Sequence, residues 1–104
     1  MNDITPQKAN DLHATGDAVI LDVREEDEVA YARIPGSVHI PLFELQTRIR
    51  ELPKDRLVVC QCASGGRSMG ATATLLRHGL KAANLTGGIM AWARSGLPVA
   101  RGEA

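Results

Sequence analysis

An α/β fold with a parallel sheet covered by helices on both faces follows from three features of the chain. Short runs of strand-forming residues, at 18–23, Leu57–Gln61 and Ala82–Leu85, alternate with segments of helical periodicity. No tight-hairpin signal joins neighbouring strands, so successive strands are expected to be parallel and linked by crossovers. The 104 residues, 44% of them hydrophobic, suit one core of ordinary size, and no repeat or linker divides them.

Each element has its own local warrant. Thr5 is placed as an N-cap and Pro6 at the first helical position of a helix that carries Leu12 and stops at Gly16. Residues 18–23 form a continuous apolar run with the polar Asp22 and Arg24 at its C-terminal end. In open parallel sheets that end is the functional edge. Asp22 and Arg24 therefore either brace the site or draw in an anion, or else pair with each other. Glu25, Glu26, Asp27 and Glu28 read as the solvated first turn of a helix, favoured by its dipole. A turn at Pro35-Gly36 leads to a short strand at 37–40. Pro41 then opens a helical segment with Leu42, Leu45, Ile49 and Leu52 on one core-facing side. Pro53, Lys54 and Asp55 turn the chain into the strand Leu57–Gln61. Beyond it a helix beginning at Ser68 is expected to use Met69, Ala73 and Leu76 as one face. Gly70, Ala71 and Ala73 allow it close approach to the sheet, and Gly79 serves as its C-terminal cap. After the strand Ala82–Leu85, Thr86-Gly87-Gly88 precede a last helix at 89–94, ended by Gly96 and Pro98, with Trp92 closing the core. The packed unit spans about 4–99 of a single domain covering 1–104, and residues 100–104, small and polar, form a flexible tail.

The chemistry concentrates where the strand Leu57–Gln61 delivers Cys62 to the loop Ala63, Ser64, Gly65, Gly66, Arg67 and Ser68. An ordinary cysteine titrates near about 8.5 and is mostly an unreactive thiol at neutral pH. Here a strand end meets a helix start, whose first backbone N–H groups lack intrahelical partners and carry partial positive charge. Gly65 and Gly66 free the backbone to turn those groups inward, as in other anion-binding concavities. Arg67 adds a planar fork suited to an oxyanion. The loop is built for a negatively charged sulfur. Ser64 and Ser68 either donate hydrogen bonds to that sulfur or brace the loop and cap the helix.

The run CASGGRS resembles the active-site loop of the rhodanese-like sulfurtransferase family, with cysteine first and arginine five residues on. ILDVRE and IPGSVHIPL before it, and LTGGIMAWARSGLP after it, match the family in order and extend the resemblance from about residue 4 to 99. The resemblance implies a single rhodanese-like domain in which Cys62 takes the outer sulfur of a thiosulfate-like donor, becomes a persulfide, and passes it to cyanide or a thiol, with residues 63 to 68 as the cradle. No general base, metal or other cofactor is implied. It leaves open a persulfide carrier or regulatory module serving a protein acceptor. Cysteine phosphatases and arsenate reductases are less compatible, because their loops place five residues between cysteine and arginine. Here four intervene, and the phosphatase position for arginine holds Ser68. Where relatives commonly have Gly-His before Ile-Pro-Gly, this chain has Ala32-Arg33, and Arg33 is expected in solvent.

Other classes are disfavoured. Twelve basic and twelve acidic side chains balance, which argues against nucleic acid or an anionic membrane as a partner. No apolar run approaches the ~20 residues of a spanning helix. The first residues lack the basic and apolar regions of a signal peptide, so the cytoplasm is the expected compartment. His39 reads as structural, and no histidine pair at i, i+4 suggests a metal. Cys60 and Cys62 are too close along a strand for an unstrained disulfide. Cys60 is then a small buried hydrophobe, or, if the backbone bends, a resolving thiol.

Overall fold

The computed structural model describes residues 2–102. Five strands, β1 (Asp3–Ile4), β2 (Ala18–Asp22), β4 (Val38–His39), β5 (Leu57–Gln61) and β6 (Ala82–Leu85), form one sheet in the order β1-β6-β5-β2-β4, every pairing parallel. A separate antiparallel pair joins β3 (Ala32–Arg33) to β7 (Ala100–Arg101). The helices are α1 (Pro6–Ala14), α2 (Glu26–Tyr31), α3 (Leu45–Arg48), α4 (Gly66–Arg77) and α5 (Gly88–Arg94), with a 3-10 turn on either side of α3. None of the helices among the described residues is long and apolar enough to cross a membrane.

Alternation along the central strands divides the core into two layers. Val58, Cys60 and Cys62 face one side, with Leu45, Leu52, Ala71 and Leu75 from α3, its flanking turn and α4. Val59 and Ile20 face the other, with Ala9 of α1 and Ile89 and Trp92 of α5. Both faces of β5 are therefore covered, which is why its sequence is apolar from Leu57 to Cys60 instead of alternating, with the buried Gln61 closing the strand. The predicted caps recur: Thr5 Oγ1 accepts from the Lys8 amide at 3.2 Å, and Trp92 is buried with its Nε1 donating to the Pro98 carbonyl at 2.7 Å. His39 Nε2 lies 2.7 Å from the Arg24 carbonyl, tying β4 to the end of β2.

Three expectations are corrected. α4 begins at Gly66, two residues before Ser68, and its sheet-facing stripe is Ser68, Ala71, Thr72 and Leu75. Met69 and Leu76 are exposed. The helix approaches the sheet through its smaller side chains, with the Thr72 hydroxyl satisfied by the Ser68 carbonyl at 2.8 Å. A stripe assigned by apolar size alone is rotated off by one residue. The expected flexible tail at 100–104 is not one at Ala100 and Arg101. These residues pair with Arg33 and Ala32, and the Gly102 amide donates to the Tyr31 carbonyl at 3.0 Å. Glu103 and Ala104 lie outside the described residues. Arg33 is half-buried, and its Nη1 donates to the Gly102 carbonyl at 2.6 Å, so its charge secures β7 instead of standing in solvent.

Candidate active site

β5 lies at the centre of the sheet, between β6 and β2, and Cys62 follows directly on its C-terminal end. Two sets of amides hold this corner. The Ile89 and Met90 amides, at the start of α5, donate to the carbonyls of Cys62 and Ala63 at 2.9 and 3.1 Å. Gly88, at φ +58°, comes so close that a Cβ would collide with both carbonyls. That approach explains the glycine in the Thr86-Gly87-Gly88 run. On the other side, Gly65 adopts φ +112° as the N-cap of α4, which turns the helix's first amides toward the sulfur.

Cys62 is 1% exposed. Its Sγ accepts from the Gly65 amide at 3.2 Å and the Ser68 amide at 3.4 Å, with Ser68 Oγ also at 3.4 Å. Burial pushes the thiol's pKa up. The Ser68 hydroxyl and the amides of Ser68, Gly65 and Ser64 outweigh it, and the net effect is a thiol held below its ordinary value. Cys60, two residues back on the same face, has no exposed surface, and burial pushes its thiol up to about 11 against a partial offset from the Thr72 hydroxyl. Its surroundings are those of a small buried hydrophobe.

Arg67 does not offer an empty fork. Its Nη1 and Nη2 donate to Glu28 Oε1 and Oε2 at 2.7 and 2.9 Å, a bidentate pair between α4 and α2. Glu28 is the third residue of α2, where its Oε1 also accepts the Glu25 amide at 2.9 Å in a capping box. Its pKa is held at about 2, first by the Arg67 hydrogen bonds, against burial, then by the Glu25 amide and the charges of Arg67 and Arg24. The acidic run is thus more than a solvated turn at this one position.

Asp22 and Arg24 pair with each other at the end of β2. Arg24 Nη2 and Nε donate to the Asp22 carboxylate at 2.7 and 3.0 Å, and both side chains are buried. The remaining guanidinium hydrogens reach the carbonyls of Ala32 at 2.7 Å and Glu28 at 3.5 Å. The pair ties α2 and β3 to the end of β2, and Arg24 also borders one of the hollows beside the cysteine loop.

Two residues of the site were not singled out from the sequence. One is Glu28, which a capping-box pattern marks within its acidic run. The other is Asn84 on β6, which accepts the Ser68 hydroxyl proton and whose Nδ2 donates to the Gly65 carbonyl at 3.4 Å. An amide inside the apolar strand Ala82–Leu85 was its available signal. Two hollows flank the loop. One, of about 300 Å³, is lined by Asp3, Ser64, Gly65, Asn84 and Thr86; the other, of about 260 Å³, by Arg24, Tyr31, Ala63, Ile89 and Met90. Among the described residues no group of three His, Cys, Asp or Glu converges as a metal site.

The arrangement favours a sulfur anion, faced by two backbone amides at the end of the central strand with the Ser68 hydroxyl oxygen beside it. Comparison with known proteins agrees with the fold and names its kind. The model of the Rhodanese-like domain matches residues 5–95. A sulfurtransferase of Allochromatium vinosum is 43% identical over 93 residues, covering 88% of this chain and 87% of its own. The thiosulfate sulfurtransferase GlpE of Actinobacillus succinogenes is 32% identical over 98 residues, covering 93% and 88%. The crystal structure of a rhodanese-related protein from Thermoplasma volcanium superposes with a TM-score of 0.88 at 31% identity, covering 96% of this chain and 98% of that one. A parallel five-stranded sheet that ends its central strand in this cysteine loop, matched along nearly its whole length, belongs to the rhodanese-like sulfurtransferase family.

Proposed function

We propose that the chain transfers sulfane sulfur through a persulfide on Cys62. The observation that carries this reading is the convergence of the Gly65 and Ser68 amides on one buried sulfur at 3.2 and 3.4 Å, with the Ser68 hydroxyl oxygen 3.4 Å away. Such an arrangement stabilises a thiolate and, one atom further out, the charge of a persulfide. The Cys62 thiolate attacks the outer sulfur of a thiosulfate-like donor. A new sulfur–sulfur bond forms, the donor's own sulfur–sulfur bond breaks, and sulfite leaves with the electron pair. Cyanide or a thiolate then attacks the outer sulfur of the persulfide. The product is thiocyanate or a new persulfide, and the Cys62 thiolate returns. Neither half requires a general base, because the nucleophile enters each as an anion.

In this reading Ala63, Ser64, Gly65, Gly66, Arg67 and Ser68 form the cradle, and Arg67 helps to seat an anionic donor. Its fork is shared with Glu28, so a donor must compete for it. The thiosulfate preference draws on the activity named for GlpE and on the anionic character of the loop's intended ligand. The acceptor is a small thiophile or a protein thiol.

Steady-state thiocyanate formation at varied thiosulfate and cyanide tests the reading. Parallel double-reciprocal lines, the signature of two half reactions, are expected. Persulfide formation with negligible turnover on small acceptors, but rapid transfer to a protein thiol, would replace the enzyme with a carrier.

A further inference from the structure

The hydrogen bonds around Cys62 contain a conflict over one proton. Ser68 has a single hydroxyl hydrogen. Its Oγ lies 3.4 Å from Cys62 Sγ, 3.3 Å from the Gly65 carbonyl and 2.5 Å from Asn84 Oδ1. All three side chains are buried, so water cannot freely substitute for a missing partner. With Asn84 Oδ1 facing Ser68, the hydroxyl hydrogen is committed to the amide. The sulfur is then served best as a thiol, donating its own S–H to Ser68 Oγ. As an anion the sulfur has no hydrogen to give and needs Ser68 to turn its proton inward. That turn leaves two oxygens, Ser68 Oγ and Asn84 Oδ1, facing each other with no hydrogen between them. Rotating the Asn84 amide by half a turn removes the conflict, because Nδ2 then donates to Ser68 Oγ. The cost moves to the weaker contact at the Gly65 carbonyl, which gives up the Nδ2 donor 3.4 Å away and faces Oδ1 in its place.

We propose that Asn84 is a positioning residue that acts through Ser68: its side-chain amide reverses as Cys62 changes charge, directing the one Ser68 proton away from the thiol or onto the thiolate. The inference deepens the sulfur-transfer reading and rests on it for its purpose, since the cysteine must ionise before it attacks. When the thiol ionises its proton leaves to water, the hydroxyl rotates, and no covalent bond of Ser68 or Asn84 changes. An amide suits this role because it carries a donor and an acceptor at the same reach. The charged groups around the sulfur have partners of their own, although the Arg67 charge also acts on Cys62. Arg67 of α4 is paired with Glu28 of α2, Cys60 lies buried on β5, and Asp22 of β2 is paired with Arg24. Asp3 of β1 lines the hollow beside Asn84 and is common to both states.

The test is the titration of Cys62, followed by thiolate ultraviolet absorbance and by the pH dependence of alkylation located on Cys62 by peptide mass. Asn84→Asp keeps the shape and can only accept, so it holds the Ser68 proton off the sulfur. The Cys62 pKa is expected to rise by about one unit or more, with alkylation at neutral pH slowed about tenfold. The carboxylate's own charge also raises it, and Ser68→Ala separates the two. In that background Asn84→Asp has only its charge to act with, so its shift is smaller. Equal shifts in both backgrounds overturn the proposal. Asn84→Ala removes the amide's donor and acceptor together, so Ser68→Ala is expected to shift the Cys62 pKa by a different amount in the Asn84→Ala background than in the parent protein. Equal Ser68→Ala shifts with and without the amide also overturn the proposal, and this arm stands if the aspartate variant does not fold. Because no sulfur donor is used, a chain that shows the pattern but takes up no sulfur refutes the transfer reading alone.

Discussion

Replacing Glu28 with glutamine probes how the cradle meets an anionic donor. Glu28 and Arg67 make two short hydrogen bonds, and the carboxylate is held at about 2 against an ordinary 4.5. At ~1.4 kcal/mol per pH unit, that drop has an upper bound of about 3 kcal/mol. The side chains are 38% exposed for Arg67 and 31% for Glu28, so solvent screening reduces the pair to ~1 kcal/mol. Two consequences follow, with opposite signs. Stability at neutral pH falls by ~1 kcal/mol in Glu28→Gln. Because the folded-state pKa is depressed, the contribution is complete above 4.5 and disappears as the pH falls toward 2. The parent and variant denaturation midpoints are therefore separated at neutral pH and converge in acid. Meanwhile the freed Arg67 fork admits an anionic donor more readily, and the KM for thiosulfate is expected to fall about fivefold, the equivalent of ~1 kcal/mol. Urea denaturation at several pH values and initial rates at varied thiosulfate measure both effects. An unchanged or raised KM in a folded Glu28→Gln protein would refute the idea that donor and Glu28 compete for Arg67.

Other substitutions separate structure from chemistry. Cys60→Ser is expected to leave sulfur uptake intact in intact-mass measurements, and loss of uptake with folding unchanged would make Cys60 a participating thiol. Gly88→Ala forces a Cβ onto the carbonyls of Cys62 and Ala63 at φ +58°, and is expected to cost ~2 kcal/mol or more in thermal unfolding. An unaltered melting curve would contradict the contact. Arg24→Ala leaves the Asp22 carboxylate buried without its partner and is expected to destabilise the fold by ~3–5 kcal/mol in chemical denaturation. A loss below ~1 kcal/mol would show that the pair is not a brace.

Much of the fold was legible because it is written in local, short-range patterns. The central strands are continuous apolar runs, Thr5-Pro6 is a helix start of known chemistry, and Gly65 sits where only a left-handed backbone can turn amides onto Cys62. What was illegible depends on partners distant in sequence. Glu28 looked like its three acidic neighbours until α4 brought Arg67 to it, 39 positions away. Asn84 acquires meaning only because α4 lays Ser68 against β6, and the tail only because β3 leaves backbone groups for it to pair. The α4 stripe was misplaced for a related reason. Apolar size marks the wish to be buried, but a helix this close to a sheet buries its small residues. Asp22 and Arg24 could be narrowed to two roles from the sequence, and only the structure shows that they are buried and paired.

The central claim is that a sulfur atom resides on Cys62 during the reaction. Intact mass after brief exposure to thiosulfate, with the modified residue located by peptide mapping, tests it most directly. The account predicts a gain of one sulfur confined to Cys62, removed on adding cyanide and absent in Cys62→Ser. A folded protein that turns thiosulfate and cyanide into thiocyanate with no sulfur on Cys62, or with the sulfur on Cys60, would contradict it.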